Sequence, residues 1–287
     1  MRQIPSELVE RYESEGWWTR ETIGDMLARG LKAAPDTEFR IHSTIRPWSG
    51  TVSEVEHVAR RLAAGLHRRG VGPGDVVAFQ LPNWMEPRPS SGPRPSWARP
   101  SCRSSTSTVP RNSDTSCASP LPRCSCVPRS SDTPSIGELC ADIPVVGVVG
   151  RDFDDLLDDE PFEGVLPVDP SQPALLAFTS GTTSDPKGVI HTHRTLGFET
   201  RQLSERYPAD RGSQLTGAPV GHFIGMVNAF LIPILDHTPI NLLDVWDPAR
   251  AIELMESDGL VIGGGATYFI TSLLDHPNFD RTGTCST

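Results

Sequence analysis

The sequence predicts an α/β fold, with mixed sheets flanked by helices. Three observations carry this expectation. A helix, a turn and a short apolar strand succeed one another over 53–82. Further short apolar runs recur downstream, IPVVGVVG (143–150), ALLAF (174–178) and LVIG (260–263). Helix-compatible stretches lie between them. That alternation builds a sheet covered by helices.

The elements follow in order. A first helix is expected over 21–34. The clearest helix comes next, over 53–70. Ser53 and Glu56 have capping-box spacing. Val55, Val58, Ala59, Leu62, Ala63 and Leu66 share one helical face, and Gly70 supplies a stop. The turn VGPGD (71–75) leads into a strand over 76–82. After the strand at 143–150, the acidic run 151–164 lacks the spacing of a calcium loop and reads as a solvated connector. A strand at 174–178 precedes a Ser/Thr/Gly-rich loop, and a helix is expected near 194–206. The apolar run 218–235 approaches the length of a membrane span, but His222, Asn228 and two prolines mark it as a buried helix. Asp247 and Pro248 form an N-cap and first-turn pair opening a helix over 248–257. A strand at 260–263 and a helix over 266–275 follow.

Residues 87–135 break this pattern. They hold 14 Ser, 10 Pro, 7 Arg and 4 Cys, and lack Ile, Phe, Met, Tyr, Lys, Glu and Gln. Such a composition predicts neither helix nor core strand. It also matches GC-rich DNA read out of phase.

The formal net charge of -10 and pI near 5.3 argue against nucleic acid as a partner. The charged stretch 1–18 has no apolar core, so no secretory signal is expected. Six cysteines give no secreted framework, and four of them fall in the aberrant segment. A reducing cytoplasm is the expected compartment. His191 and His193 form an H-x-H pair without further zinc ligands at suitable spacing, and read as loop packing. No metal site built of protein ligands is expected.

The loop 179-TSGTTSDPKG-188 is the chemical focus. It leaves an apolar strand, at the end where open α/β sheets bind ligands. Gly181 and Gly188 allow close backbone approach. Thr179, Ser180, Thr182 and Thr183 offer hydroxyls, and Lys187 adds a positive charge. This set suits a polyphosphate. The order is not that of a Walker A loop, since Lys187 follows Pro186. Taken alone, such a cluster also forms plain turns.

The ordered stretch LAFTSGTTSDPKGVIHTH (176–193) resembles the phosphate-loop signature of the acyl-adenylate-forming superfamily. Three further stretches fall in that family's order. VARRLAAGLHRRGVGPGDVVAFQLPN (58–83) is similar to its early helix–turn–strand. PVGHFIG (219–225) resembles its Pro-x-x-His-x-x-Gly motif. YFITSLLDHPNF (268–279) is similar to the helix behind its acyl pocket. Ser184 departs from the family's usual glycine, at a cost of about 1 kcal/mol if that turn needs positive φ.

The resemblance implies the large N-terminal domain of the adenylate-forming fold, in incomplete form. Residues 1–86 would be its first part. Residues 87–135 would be a non-folding segment from a frame disruption, because the interval from Asn83 to Ser180 keeps the family's usual length. Residues 136–287 would be its continuation, with the phosphate loop at 176–193. The family's later adenine-, magnesium- and ribose-binding motifs are not found, nor is its C-terminal lysine-bearing domain. It implies ATP-dependent activation of a carboxylic acid, most simply a fatty acid, to an acyl-adenylate, followed by transfer to coenzyme A. Mg²⁺ would accompany ATP. Thr179, Ser180, Gly181, Thr182, Thr183, Ser184, Lys187 and Gly188 would hold the phosphates. Lys187 and His222 would act at the reacting groups. Gly263, Gly264 and Gly265 would widen an acyl pocket or form a turn. The chain itself, lacking those parts, is expected to be a defective fragment, poorly stable and inactive for the complete reaction. Rival expectations are an acyl-AMP ligase serving a carrier protein, a non-catalytic nucleotide-binding fragment, and the product of a damaged gene.

Overall fold

The computed structural model describes residues 4–79, 83–85, 143–147, 152–178, 188–208 and 210–279, with the backbone of 124–128 and 148–149. Helices α1 (Ser6–Ser14) and α2 (Ile23–Ala33) lead into strands β1 (Glu38–His42) and β2 (Trp48–Thr51), and β2 runs directly into α3 (Val52–Arg68). Next come β3 (Val77–Phe79), β4 (Cys124–Pro128), β5 (Val145–Val149), a 3-10 turn at Phe153–Leu156, β6 (Pro173–Phe178), β7 (Gly188–Thr192) and α4 (His193–Ser204). The last part holds β8 (Gln214–Thr216), α5 (Phe223–Met226), a π-helical turn at Val227–Leu231, α6 (Ile232–Asp236), β9 (Ile240–Leu243), α7 (Pro248–Asp258), β10 (Val261–Ile262) and α8 (Thr267–Leu274). The α/β expectation with mixed sheets holds.

The main sheet has the order β10-β8-β9-β1-β2. Its strands are parallel except for the β1–β2 hairpin. All four residues of β9 are buried, as a strand covered on both faces requires. Alternate residues go to opposite sides. Ile240 and Leu242 join Phe39, Ile41, Val52 and Ala229 in one core, while Leu243 joins Leu215, Ile252 and Leu254 in the other. The first core lies under the 223–236 helical stretch and the second under α7 and α8.

Helix α3 begins two residues earlier than the capping pattern suggests. Thr51 accepts from the Glu54 N–H and the Glu54 carboxylate accepts from the Thr51 N–H, so the cap is Thr51/Glu54 and not Ser53/Glu56. Thr51 is still paired with Glu38 in the hairpin, and Val52 is buried at once. Tertiary burial thus selects between two caps of equal local merit. Ala59 and Ala63, expected on the buried face, are exposed; Gly65 is buried instead. A side chain at Gly65 would strike the Leu156 carbonyl.

That contact corrects the reading of 151–164 as a solvated connector. Phe153 and Leu156 are buried against Leu62, Leu66 and Val145. Arginines of α3 tie the rest down: Arg61 Nε donates to the Asp158 carbonyl at 2.6 Å, and Arg60 donates to those of Phe162 and Gly164, each at 3.1 Å. A second correction concerns 87–135. Within it, Cys124–Pro128 forms β4, parallel to both β3 and β5 and lying between them. A parallel ladder is made by backbone N–H and C=O groups, which every residue but proline supplies in full. Composition governs side-chain burial, not this ladder. Pro128 sits at the strand's last position, where a missing N–H is tolerated.

The apolar run 218–235 folds as the α5–π–α6 stretch. No helix among the described residues is long and apolar enough to cross a membrane.

Candidate functional site

Strands β6 and β7 form an antiparallel ribbon, with Phe178 paired to Gly188. The loop residues Thr179, Ser180, Gly181, Thr182, Thr183, Ser184 and Lys187 lie outside the described residues, as does the backbone question at Ser184. The loop's two anchors are described, and the ladder holds them side by side. At Gly188 a side chain would meet Leu176 Cδ1 at 2.9 Å and Phe178 Cε1 at 3.5 Å. The glycine therefore leaves room for the Leu176 and Phe178 side chains of the facing strand.

A ring stack and a histidine cap help to dock the ribbon on the main body. The His191 ring stacks on Phe223, centroids 4.3 Å apart and planes 13° apart. His193 Nδ1 accepts the Ile23 N–H at 3.2 Å, at the start of α2. Accepting that bond requires an unprotonated ring nitrogen, and burial holds the His193 pKa below its usual value, with Asp25 opposing. The H-x-H pair is thus packing, as its spacing suggested.

Phe223 follows His222, so the first stack sets the ribbon beside the Pro-x-x-His-x-x-Gly turn. His222 is half-buried and precedes α5. Its N–H donates to the Pro219 carbonyl at 2.9 Å, and its carbonyl accepts from Met226 N–H at 2.9 Å. A side chain at Gly225 would overlap the Pro219 carbonyl. The motif's spacing therefore has a mechanical basis: Pro219 turns the chain, Gly225 lets the helix close on it, and His222 is held between them.

This turn lies at a reversal in the chain path. From β8 the chain passes through α5 and α6 to β9 on one side. From β9 it passes through α7 to β10, on the other side of β8. The connecting helices cover opposite faces of the sheet. Ligands of open α/β sheets bind outside the strand carboxyl ends at such a reversal.

Gly263, Gly264 and Gly265 follow β10 at the same end. The places of their absent side chains are already taken. A Cβ at Gly263 would meet the Leu215 carbonyl at 3.0 Å, and one at Gly264 would meet the Tyr207 hydroxyl at 2.6 Å and Asn228 Oδ1 at 2.7 Å. Close packing accounts for these glycines more directly than a widened pocket. Tyr207 donates to Asn228 Oδ1 at 2.8 Å, and Asn228 Nδ2 donates to the Ile224 carbonyl at 2.9 Å. Burial raises the Tyr207 pKa, keeping the hydroxyl a donor. Asn228 is 2% exposed and sits in the π-helical turn, whose altered ladder it helps to satisfy. In the sequence, Asn228 stands out only as a residue unsuited to a membrane span. Its signal was a lone amide in an apolar run.

Among the described residues, no group of three or more His, Cys, Asp and Glu side chains could hold a metal ion.

Comparison with known proteins agrees with this architecture. A match to the family described as AMP-binding enzyme spans residues 127–285. The medium-chain fatty-acid–CoA ligase of Escherichia coli (strain K12) is 24% identical over 285 residues, covering 92% of this chain and 49% of that protein. The salicyl-AMP ligase / salicyl-S-ArCP synthetase of Mycobacterium tuberculosis is 28% identical over 218 residues, covering 68% of this chain and 37% of that protein. The apo structure of Mycobacterium smegmatis MbtA superposes with a TM-score of 0.66 at 19% identity, covering 91% of this chain and 51% of that one. The chain spans about half the length of the first of these relatives. The family match, running from β4 through the ribbon and the His222 turn to the end of α8, establishes that the chain belongs to the AMP-binding enzymes, the adenylate-forming ligases.

Proposed function

We propose that this chain carries the phosphate-binding and acid-binding part of an ATP-dependent ligase that activates a carboxylic acid. A carboxylate oxygen attacks the α-phosphorus of ATP, and pyrophosphate leaves as the acyl-adenylate forms. The thiol of coenzyme A then attacks the acyl carbonyl, and AMP leaves. The substrate acid is fatty or otherwise apolar. Thr179, Ser180, Thr182 and Thr183, with the backbone amides around Gly181 and Ser184, cradle the β- and γ-phosphates. Lys187 offsets their charge as it builds on the leaving group. His222 stands by the reacting carboxylate. Mg²⁺ bound with the nucleotide adds charge neutralisation. Residues 1–86 and 136–287 are the parts of the AMP-binding domain, and 87–135 is text from a shifted frame, through which the backbone still contributes one strand.

The observation that carries this reading is the Phe178–Gly188 pair. It clamps the ends of a hydroxyl-rich loop together on a ribbon docked beside His222. The E. coli relative favours coenzyme A as acceptor. The name of the M. tuberculosis relative supports an aryl carrier protein as the alternative.

The test is acid-dependent exchange of labelled pyrophosphate into ATP by the full chain, across fatty and aryl acids. Exchange with fatty acids supports the reading. Nucleotide binding without exchange under any acid sinks it in favour of a binding module. Given exchange, Lys187→Ala is expected to slow it about a hundredfold with the unfolding midpoint unchanged.

A further inference from the structure

We propose that Asn83 is a positioning residue: its carboxamide, wedged between the ends of β8 and β9, sets the turn that carries His222. This rests on the reading that His222 works at the reacting carboxylate.

Asn83 is 2% exposed although it is polar. Its amide nitrogen donates to the Leu243 carbonyl at 2.9 Å and the Ala218 carbonyl at 3.2 Å. Its oxygen accepts the Val220 N–H at 2.9 Å. Leu243 is the last residue of β9, and Ala218 lies just beyond β8. These are the two strand ends whose outgoing helices cover opposite faces of the sheet. Asn83 thus fills the crevice at the path reversal and fastens the 218–220 turn on both edges. From Pro219 the chain reaches His222 by a single backbone hydrogen bond, and Gly225 closes on the same carbonyl.

The geometry explains why an amide stands here. Aspartate would accept but could not donate to two carbonyls, and it would bury a charge. Alanine would remove all three of these buried hydrogen bonds at once, which is costly where water cannot replace them. Docking of the 83–85 segment does not depend on this knot. Trp84 Nε1 donates to Asp244 Oδ2 at 3.2 Å, Arg46 lies over the Trp84 ring, and Met85 packs on the first core. The Asn83 bonds are therefore directed at the turn.

The experiment compares the full chain with Asn83→Ala, Asn83→Asp and a control, Leu254→Ala, in the second core. Nuclear magnetic resonance follows the His222 ring proton and the exchange of the Val220 amide. Pyrophosphate exchange is run alongside. In Asn83→Ala the Val220 amide is expected to exchange about tenfold faster, as loss of one hydrogen bond implies, and the His222 resonance to move. Asn83→Asp keeps the Val220 bond but also moves His222. Both lower kcat for pyrophosphate exchange about ten- to a hundredfold with KM for ATP unchanged. Leu254→Ala lowers stability and leaves His222 in place. The proposal is overturned if His222 stays put in both Asn83 variants, or moves equally in the control. If the variants do not fold, the unmodified chain decides: a Val220 amide as protected as Leu215 supports the proposal, and one as fast as Gly221 overturns it. An absence of pyrophosphate exchange in the unmodified chain would remove the functional reading while the resonance results still judge the positioning.

Discussion

The main sheet and the β6–β7 ribbon are built on opposite terms. In the sheet every residue of β9 is buried, and Leu215 is fully enclosed. In the ribbon, Leu176, Val189 and Ile190 are exposed. The sheet places the His222 turn on a scaffold fixed from both faces. The ribbon carries the hydroxyl-rich loop and is docked through a ring stack, a histidine cap and Leu175, which packs against the cluster of Met26, Leu196, Val227, Leu231 and Ile232. Stability thus concentrates in the element that orients the site, and the loop-bearing element is held more lightly. Loops that bind ligands are drawn from the less stable part of a fold.

The largest expected break in this contrast is in the sheet. Leu242→Ala should cost about 3 kcal/mol by urea unfolding, while Ile190→Ala in the ribbon should stay within about 0.5 kcal/mol. Equal losses would mean that the ribbon is as integral as the sheet. Next comes Gly225→Ala, whose new methyl meets the Pro219 backbone carbonyl and cannot be accommodated by a side-chain shift. A loss of about 2 kcal/mol is expected, with the His222 resonance displaced. Smaller again is Thr51→Ala, which removes the cap of α3 and should lower stability by about 1 kcal/mol.

The smallest effect sharpens the ribbon side. The pKa of His193 is lowered in the folded protein, so the unfolded chain takes the proton first as pH falls. The contribution of His193 is complete above its unfolded pKa of about 6.5 and declines below it. Thermal unfolding should therefore shift down between about pH 7.5 and about pH 5, with a shallower slope in His193→Gln. Asp25 does not produce this slope in that window. Its pKa is lowered, first by the Thr22 hydroxyl and then by the Thr22 backbone N–H, so its contribution is lost only at more acid pH. An unchanged slope in His193→Gln would remove the histidine cap from the account.

Much of the fold was legible because local signals were strong and agreed. The helices over 23–33, 52–68, 193–204, 248–258 and 267–274 follow the expected spans to within a few residues. The Asp247 cap is as expected, accepting from the Ala249 and Arg250 N–H groups. Helix α1, the β1–β2 hairpin, β7, β8 and β9 have no counterpart among the sequence expectations. Their runs are short, and β9 is covered on both faces, so no alternation marks it. β4 lies in a segment whose Ser- and Pro-rich composition predicts no strand, and it forms by backbone pairing with a strand on either side. The site was legible as motifs without mechanics. Asn83 was visible in Leu-Pro-Asn, but its partners are 135, 137 and 160 residues away in sequence.

The sequence by itself determined the family, the α/β class with most of its helices, and the hydroxyl-rich character of the loop over 179–188. Each is written in contiguous residues, through periodicity, caps and an ordered motif. Only the tertiary structure decided which of two caps starts α3, that the triglycine is filled rather than open, and that Asn83 joins two strand ends to the His222 turn. Those outcomes depend on atoms brought together from positions far apart in sequence. Burial then penalises every unpaired polar group and every overlap, and so selects one arrangement among several that the local sequence permits equally.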